Sequence, residues 1–128
     1  MASVYIVQSE YGMYSDLSYA IEGVFSTYDK AKKYVESKTI VAFRHAGKVK
    51  RDGWCRDIDV WSSGKRYHGE SWEDTTEVAM IEEKEISPRT TDGKTFIFEY
   101  PNGEHVDGYD AETYFVAEYE VDEQCHAT

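Results

Sequence analysis

Val4-Tyr5-Ile6-Val7-Gln8 begins the chain as a β-branched and aromatic run, and a polar, tyrosine-rich stretch follows from Glu10 to Ser18. That pattern predicts a strand, a loop or wide hairpin, and a returning strand over residues 20–25. Ser26-Thr27 then stands where a helix is capped: either hydroxyl can accept from the first turn, and Asp29 lies at the positive end of the helix. Ala31, Tyr34 and Val35 recur at helical spacing as a buried stripe, with Lys30, Lys32, Lys33 and Glu36 toward water, so the spacing predicts a helix over residues 28–37. Residues 39–43 read as a third strand. Residues 44–53, polar, basic and holding two glycines, read as a long turn.

Farther along, the pattern becomes strand, turn, strand. Residues 56–61 alternate, with Ile58 and Val60 on one side and Asp57 and Asp59 on the other. Ser62-Ser63-Gly64-Lys65 is a turn sequence with glycine where a left-handed backbone is useful. Residues 78–86 are apolar first and charged later, and strand is favoured there over a helical turn. Residues 95–100 and 114–121 read as strands, with Pro101-Asn102-Gly103 turning the first of them back. Ile58-x-x-Trp61-x-Ser63-Gly64-x-x-Tyr67-x-Gly69 matches Ile97-x-x-Tyr100-x-Asn102-Gly103-x-x-Val106-x-Gly108 without a gap. Segments 56–86 and 95–121 are therefore either two copies of a strand–turn–strand–strand unit or hairpins that share turn residues. The expected fold class is α+β, a mostly antiparallel sheet or meander with one helix packed on it, in a single domain over residues 1–128.

Composition supports the sheet: 11 Tyr, 5 Phe and 3 Trp favour strands and half-buried surfaces. No apolar stretch has the length of a membrane span, and residues 1–10 lack a basic start followed by an apolar run, which makes the cytoplasm the default location. Cys55 and Cys125 lie far apart without metal-type spacing and read as free thiols; no cofactor or metal is expected.

A net charge of −11 repels long polyanions, so direct nucleic-acid binding is not expected. The charge is uneven, however. Residues 44–68 hold seven of the 14 basic residues against three acids, together with Trp54, Trp61 and Tyr67. Guanidinium groups grip phosphate oxygens and aromatic faces stack on bases, so this island suits a small anion of nucleotide type. The candidate ligand-binding residues are Arg44, Lys48, Lys50, Arg51, Trp54, Arg56, Trp61, Arg66 and Tyr67. Two plainer readings stand beside this one: the basic residues pair with acids elsewhere in the fold, and the tryptophans are core. The acids of residues 70–85 and 107–123, spaced two apart along strands, also admit an acidic face that imitates a nucleic-acid backbone or is simply solvated.

Catalytic signatures are missing from the sequence: no phosphate-binding glycine loop, no His-Glu-x-x-His, no Gly-x-Ser-x-Gly and no Cys-x-x-Cys. His45, His68, His105 and His126 are scattered over expected turns and the tail. A non-enzymatic protein is expected, with a small nucleotide-processing enzyme as one alternative.

Val4-Tyr5-Ile6-Val7, then Gly23-Val24-Phe25-Ser26-Thr27-x-x-Lys30-Ala31-x-x-Tyr34-Val35-Glu36, and finally Phe115-Val116-Ala117-Glu118-Tyr119-Glu120-Val121-Asp122, resemble small accessory proteins of phage and prophage genomes. The likeness covers the first 37 residues and the last strand, and its motifs are structural. It implies a counter-defence factor acting in the cytoplasm of an infected bacterial cell, a class that includes sponges for nucleotide immune signals. The leading expectation is thus a homo-oligomeric protein that sequesters a small nucleotide signal, its open strand edges paired or covered by a second copy. The alternative is an acidic inhibitor of a host defence protein complex.

Overall fold

In the computed structural model, which describes residues 2–51, 54–64 and 75–121, the alternation of Tyr5, Val7 and Ser9 with Val4, Ile6 and Gln8 is that of a strand with two unlike faces. This strand is β1, Ala2–Tyr11; a short 3-10 turn at Tyr14–Asp16 leads to β2, Ser18–Phe25. The helix α1, Tyr28–Glu36, follows, and then β3, Ile40–Arg51, β4, Trp54–Ser63, and β5, Thr75–Ile86. Two short strands, β6, Arg89–Thr90, and β8, His105–Val106, flank β7, Thr95–Glu99, and β9, Thr113–Val121, is the last element described. The class is α+β: antiparallel sheet with one α-helix among the described residues.

The strands form two sheets. The main sheet has the order β2-β1-β9-β7-β6, with β8 paired to the far part of β7. The second sheet is β4-β3-β5, with β3 central. Val7 is opposite Val116, and Tyr114 is opposite both Ser9 and Phe96, so these residues share the inner face of the main sheet. α1 lies on that face. The Thr27 side chain accepts from Lys30 N at 3.2 Å and caps the first turn, while Asp29 and Lys33 suit the two ends of the helix dipole. Ala31 and Val35 are fully buried, and Tyr34 packs at their side against Phe25, ring centroids 5.3 Å apart. Phe96, Phe98, Val106 and Val116 complete the core, and Ala42 and Ile86 bring the near end of the three-stranded sheet into the same cluster.

Residues 44–53 are not a long turn: β3 continues to Arg51. Both its edges are occupied, by β4 and by β5, so its backbone groups are satisfied whatever its side chains are. Arg44 and Lys48 continue the face of Ala42 beyond the core, where they meet Asp59 and Asp57 of β4. His45, expected in a turn, is a buried residue of β3. Residues 78–86 are strand, as favoured, within a longer β5 that carries a bulge opposite Arg44/His45. The two segments aligned as a duplication take different partners: β4 and β5 flank β3, whereas β7 and β9 pair directly.

The chain passes from one sheet to the other at Ser87-Pro88. Ile86 still pairs with Ile40, and Arg89 already pairs with Ile97. Pro88 has no N–H to offer either ladder, which ends the first and allows the second to begin.

Candidate functional site

Of the nine residues that the sequence assembles into a ligand site, Arg44 has the clearest environment. Its Nε and Nη2 donate to the two carboxylate oxygens of Asp59 at 2.7 and 2.6 Å, and Glu82 lies 3.8 Å from Nη1. The Asp59 hydrogen bond raises the Arg44 pKa and lowers that of Asp59. This fork is engaged, as the plainer reading of a basic loop in an acidic protein has it. Trp61 is partly buried and packs against the hydrophobic core. Lys48 lies exposed on the same face of the three-stranded sheet as Arg44, opposite Asp57. The side chains of Lys50, Arg51, Trp54 and Arg56, and residues Arg66 and Tyr67 altogether, lie outside what the structure describes.

A different group of residues meets where the two sheets join. The end of α1, the Ser87-Pro88 crossover and the β7–β8 turn enclose a cleft of about 540 Å³. The turn is rigidly built: Gly103 N donates to Tyr100 O at 2.8 Å, Tyr100 N to Glu104 O at 2.7 Å, and Glu104 N to Asn102 Oδ1 at 3.1 Å. Gly103 has a φ of 92°, a left-handed conformation that glycine adopts without strain. Lys84 and Arg89 line the cleft, as do Glu36 and Glu99. Pro88, Pro101 and the Tyr100 ring supply apolar wall. Among the described residues no ion pair engages Lys84 or Arg89, in contrast to Arg44. The Tyr100 phenol oxygen accepts from Ser63 N at 2.9 Å, and burial raises its pKa, so the group stays neutral.

Chemically, this arrangement offers a guanidinium and an ammonium to an anion, two carboxylates to sugar hydroxyls or amino groups, and an aromatic ring. Its volume falls within the range of small-molecule sites. The sequence does not single out Lys84 or Arg89. Lys84 stands inside the run Glu82-Glu83-Lys84-Glu85 and Arg89 follows a proline, so neither belongs to a basic cluster.

A second cleft, of about 400 Å³, has the opposite character. Glu22, Glu112, Tyr114 and Lys38 line it and satisfy one another. Tyr34 Oη donates to Glu22 at 3.2 Å, Tyr114 Oη donates to Glu112 at 2.6 Å, and Lys38 Nζ is 3.8 Å from Glu22. Burial and the nearby Glu112 carboxylate push the Tyr114 phenol up, so it remains a donor. These groups form an internal network with little left for an anion.

The acids divide by strand alternation. Glu82 shares a face with Arg44, whereas Glu83 and Glu85 lie on the other face of β5. Glu118 and Glu120 lie opposite Tyr5 and Ser3 on the main sheet. Among the described residues no group of three or more His, Cys, Asp or Glu converges as a metal site, and no helix is long and apolar enough to cross a membrane. The chain matches no known protein-family model, no curated protein and no solved structure.

Proposed function

We propose that this protein binds and sequesters a small nucleotide-type anion without turning it over, as an accessory factor of the phage class that its ends resemble. One observation carries the reading: Lys84 and Arg89, free of ion-pair partners among the described residues, line one cleft with the Tyr100 ring and two carboxylates. A phosphate needs the cations, and the sugar and base of a nucleotide give Glu36, Glu99 and Asn102 hydroxyl and amino groups to bind. The basic stretch at residues 44–68 supports the same ligand class less strongly than its sequence suggests, because Arg44 already holds Asp59.

Native mass spectrometry of the protein offered mononucleotides, cyclic nucleotides and cyclic ADP-ribose isomers tests the reading. The expected result is a 1:1 adduct whose ligand is recovered unchanged after heat denaturation. No adduct and no thermal shift with any of them would overturn binding, and recovery of an altered ligand would show an enzyme instead.

One observation favours a second reading, an acidic inhibitor of a defence protein: Glu82, Glu83 and Glu85 are all exposed on β5, an outer strand of its sheet. Co-elution with a basic protein, lost as salt is raised and on charge reversal of these acids, is the outcome that distinguishes it.

A further inference from the structure

The outer face of the main sheet breaks the usual rule for an antiparallel sheet with one side toward water, which is that this side is polar. Residues directly opposite one another share a face, so the pairs Ile6–Val24 and Gln8–Ile21 place β2 beside β1, and Ile6–Ala117 and Val4–Tyr119 place β9 on the other side. Phe115 continues the row to Thr95 of β7. α1 and the core cluster occupy the opposite face, and no described element lies over this one. Tyr19 is 57%, Ile21 69%, Val24 60% and Tyr119 53% exposed.

We infer that this face is the contact surface between two copies of the chain. Area is the first argument. At those exposures, and at roughly 150–250 Å² per large side chain, the four residues alone offer about 450 Å². With the partly exposed Ile6 and Phe115 the patch exceeds about 500 Å², at the upper end of what a monomer carries and approaching the ~800 Å² per partner of a standard interface. Charge is the second. In a chain of net charge −11, the outward rows of β1, β2 and β9 carry one described charged residue, Glu10, at an end of β1. Arg89 and Glu99 stand at the far β6–β7 margin. Two such faces meet without bringing carboxylates together at their centre. Geometry is the third: a twisted sheet stacks on its own twofold copy at about 10 Å, with side chains interdigitating. Face-to-face stacking, rather than pairing along an open edge, is therefore the mode of association. It involves residues separate from the cleft and holds whether or not a nucleotide binds there.

Sedimentation velocity on the full chain under reducing conditions, from about 1 to 200 µM, tests this. The expected result is a dimer, twice the 14.8 kDa chain mass, at the upper concentrations. Ile21→Lys and Tyr119→Lys are expected to yield monomers with an unchanged circular dichroism spectrum. The milder Ile21→Thr/Val24→Thr pair keeps β-branched strand formers and should weaken the dimer at least tenfold even where a lysine variant misfolds. Raising the salt should leave the dimer intact or tighten it, since only acidic rims repel. A monomer at every concentration, a dimer indifferent to all these substitutions, or a dimer that salt dissolves would each overturn the inference.

Discussion

The backbone N–H of Ser63, at the end of β4, donates to the phenol oxygen of Tyr100, just beyond β7, at 2.9 Å. This bond joins the three-stranded sheet to the main sheet beside the cleft, in addition to the shared core. Ser63 is 6% exposed, so its N–H has little recourse to water once the acceptor is gone. Tyr100→Phe keeps the ring and removes the oxygen, and should lower unfolding free energy by about 1–3 kcal/mol, the cost of an unsatisfied buried donor. A urea unfolding midpoint measures it, with an unchanged m-value as the sign that the fold is otherwise intact.

Cation roles separate in the ligand experiment. Lys84→Glu and Arg89→Glu are expected each to weaken nucleotide binding at least tenfold, since each reverses a charge lining the cleft. Arg44→Ala is expected to leave affinity within about twofold, because that guanidinium is engaged by Asp59. Isothermal titration on the three variants reads this directly. A loss confined to Arg44→Ala would return the site to the basic stretch.

Acid sensitivity follows from two carboxylates. Asp92 Oδ1 accepts from the backbone N–H groups of Thr95 and Lys94, both at 2.8 Å, and these bonds lower its pKa; the Arg44 hydrogen bond does the same for Asp59. Both groups favour the folded state while ionised. That contribution is complete above the ordinary carboxylate pKa and is lost as pH falls through the lower folded values. The melting temperature should therefore drop between about pH 5 and pH 2. Asp92→Asn keeps an oxygen acceptor but cannot titrate, so its melting temperature should fall less over the same range.

Core and cap substitutions should rank by burial. Phe96, 1% exposed in the central cluster, should cost about 3–5 kcal/mol as Phe96→Ala. Thr27→Ala removes the acceptor for Lys30 N and should cost about 1 kcal/mol. Denaturant titrations of the two variants check the order.

Local signals were legible along the chain. The Thr27 cap, the Ala31–Tyr34–Val35 stripe and the Pro101-Asn102-Gly103 turn each rest on neighbours in sequence, and each stands in the structure. What alternation does not carry is partnership: Ile58 and Val60 announce a strand, but nothing in them says that β3 will separate β4 from β5. The polar half of β3 was missed because hydropathy marks a strand only where one face is apolar and buried. Here opposed charges such as Arg44 and Asp59 occupy the face instead. The candidate cleft was invisible for a related reason. Glu36, Lys84, Arg89 and Tyr100 come from well-separated segments, and only the crossover at Pro88 and the docking of α1 bring them together.

β9 lies third in the order β2-β1-β9-β7-β6, with β1 on one side and β7 on the other, yet it is the last strand described along the chain. On a ribosome, β1 and β2 can form a hairpin early, and α1 can curl, but the inner face they need is unfinished until residue 121 has emerged. Val7 and Val35 therefore lack the cover of β9 from their own synthesis until residue 121 has emerged. The main sheet closes only when β9 arrives to join β1 to β7.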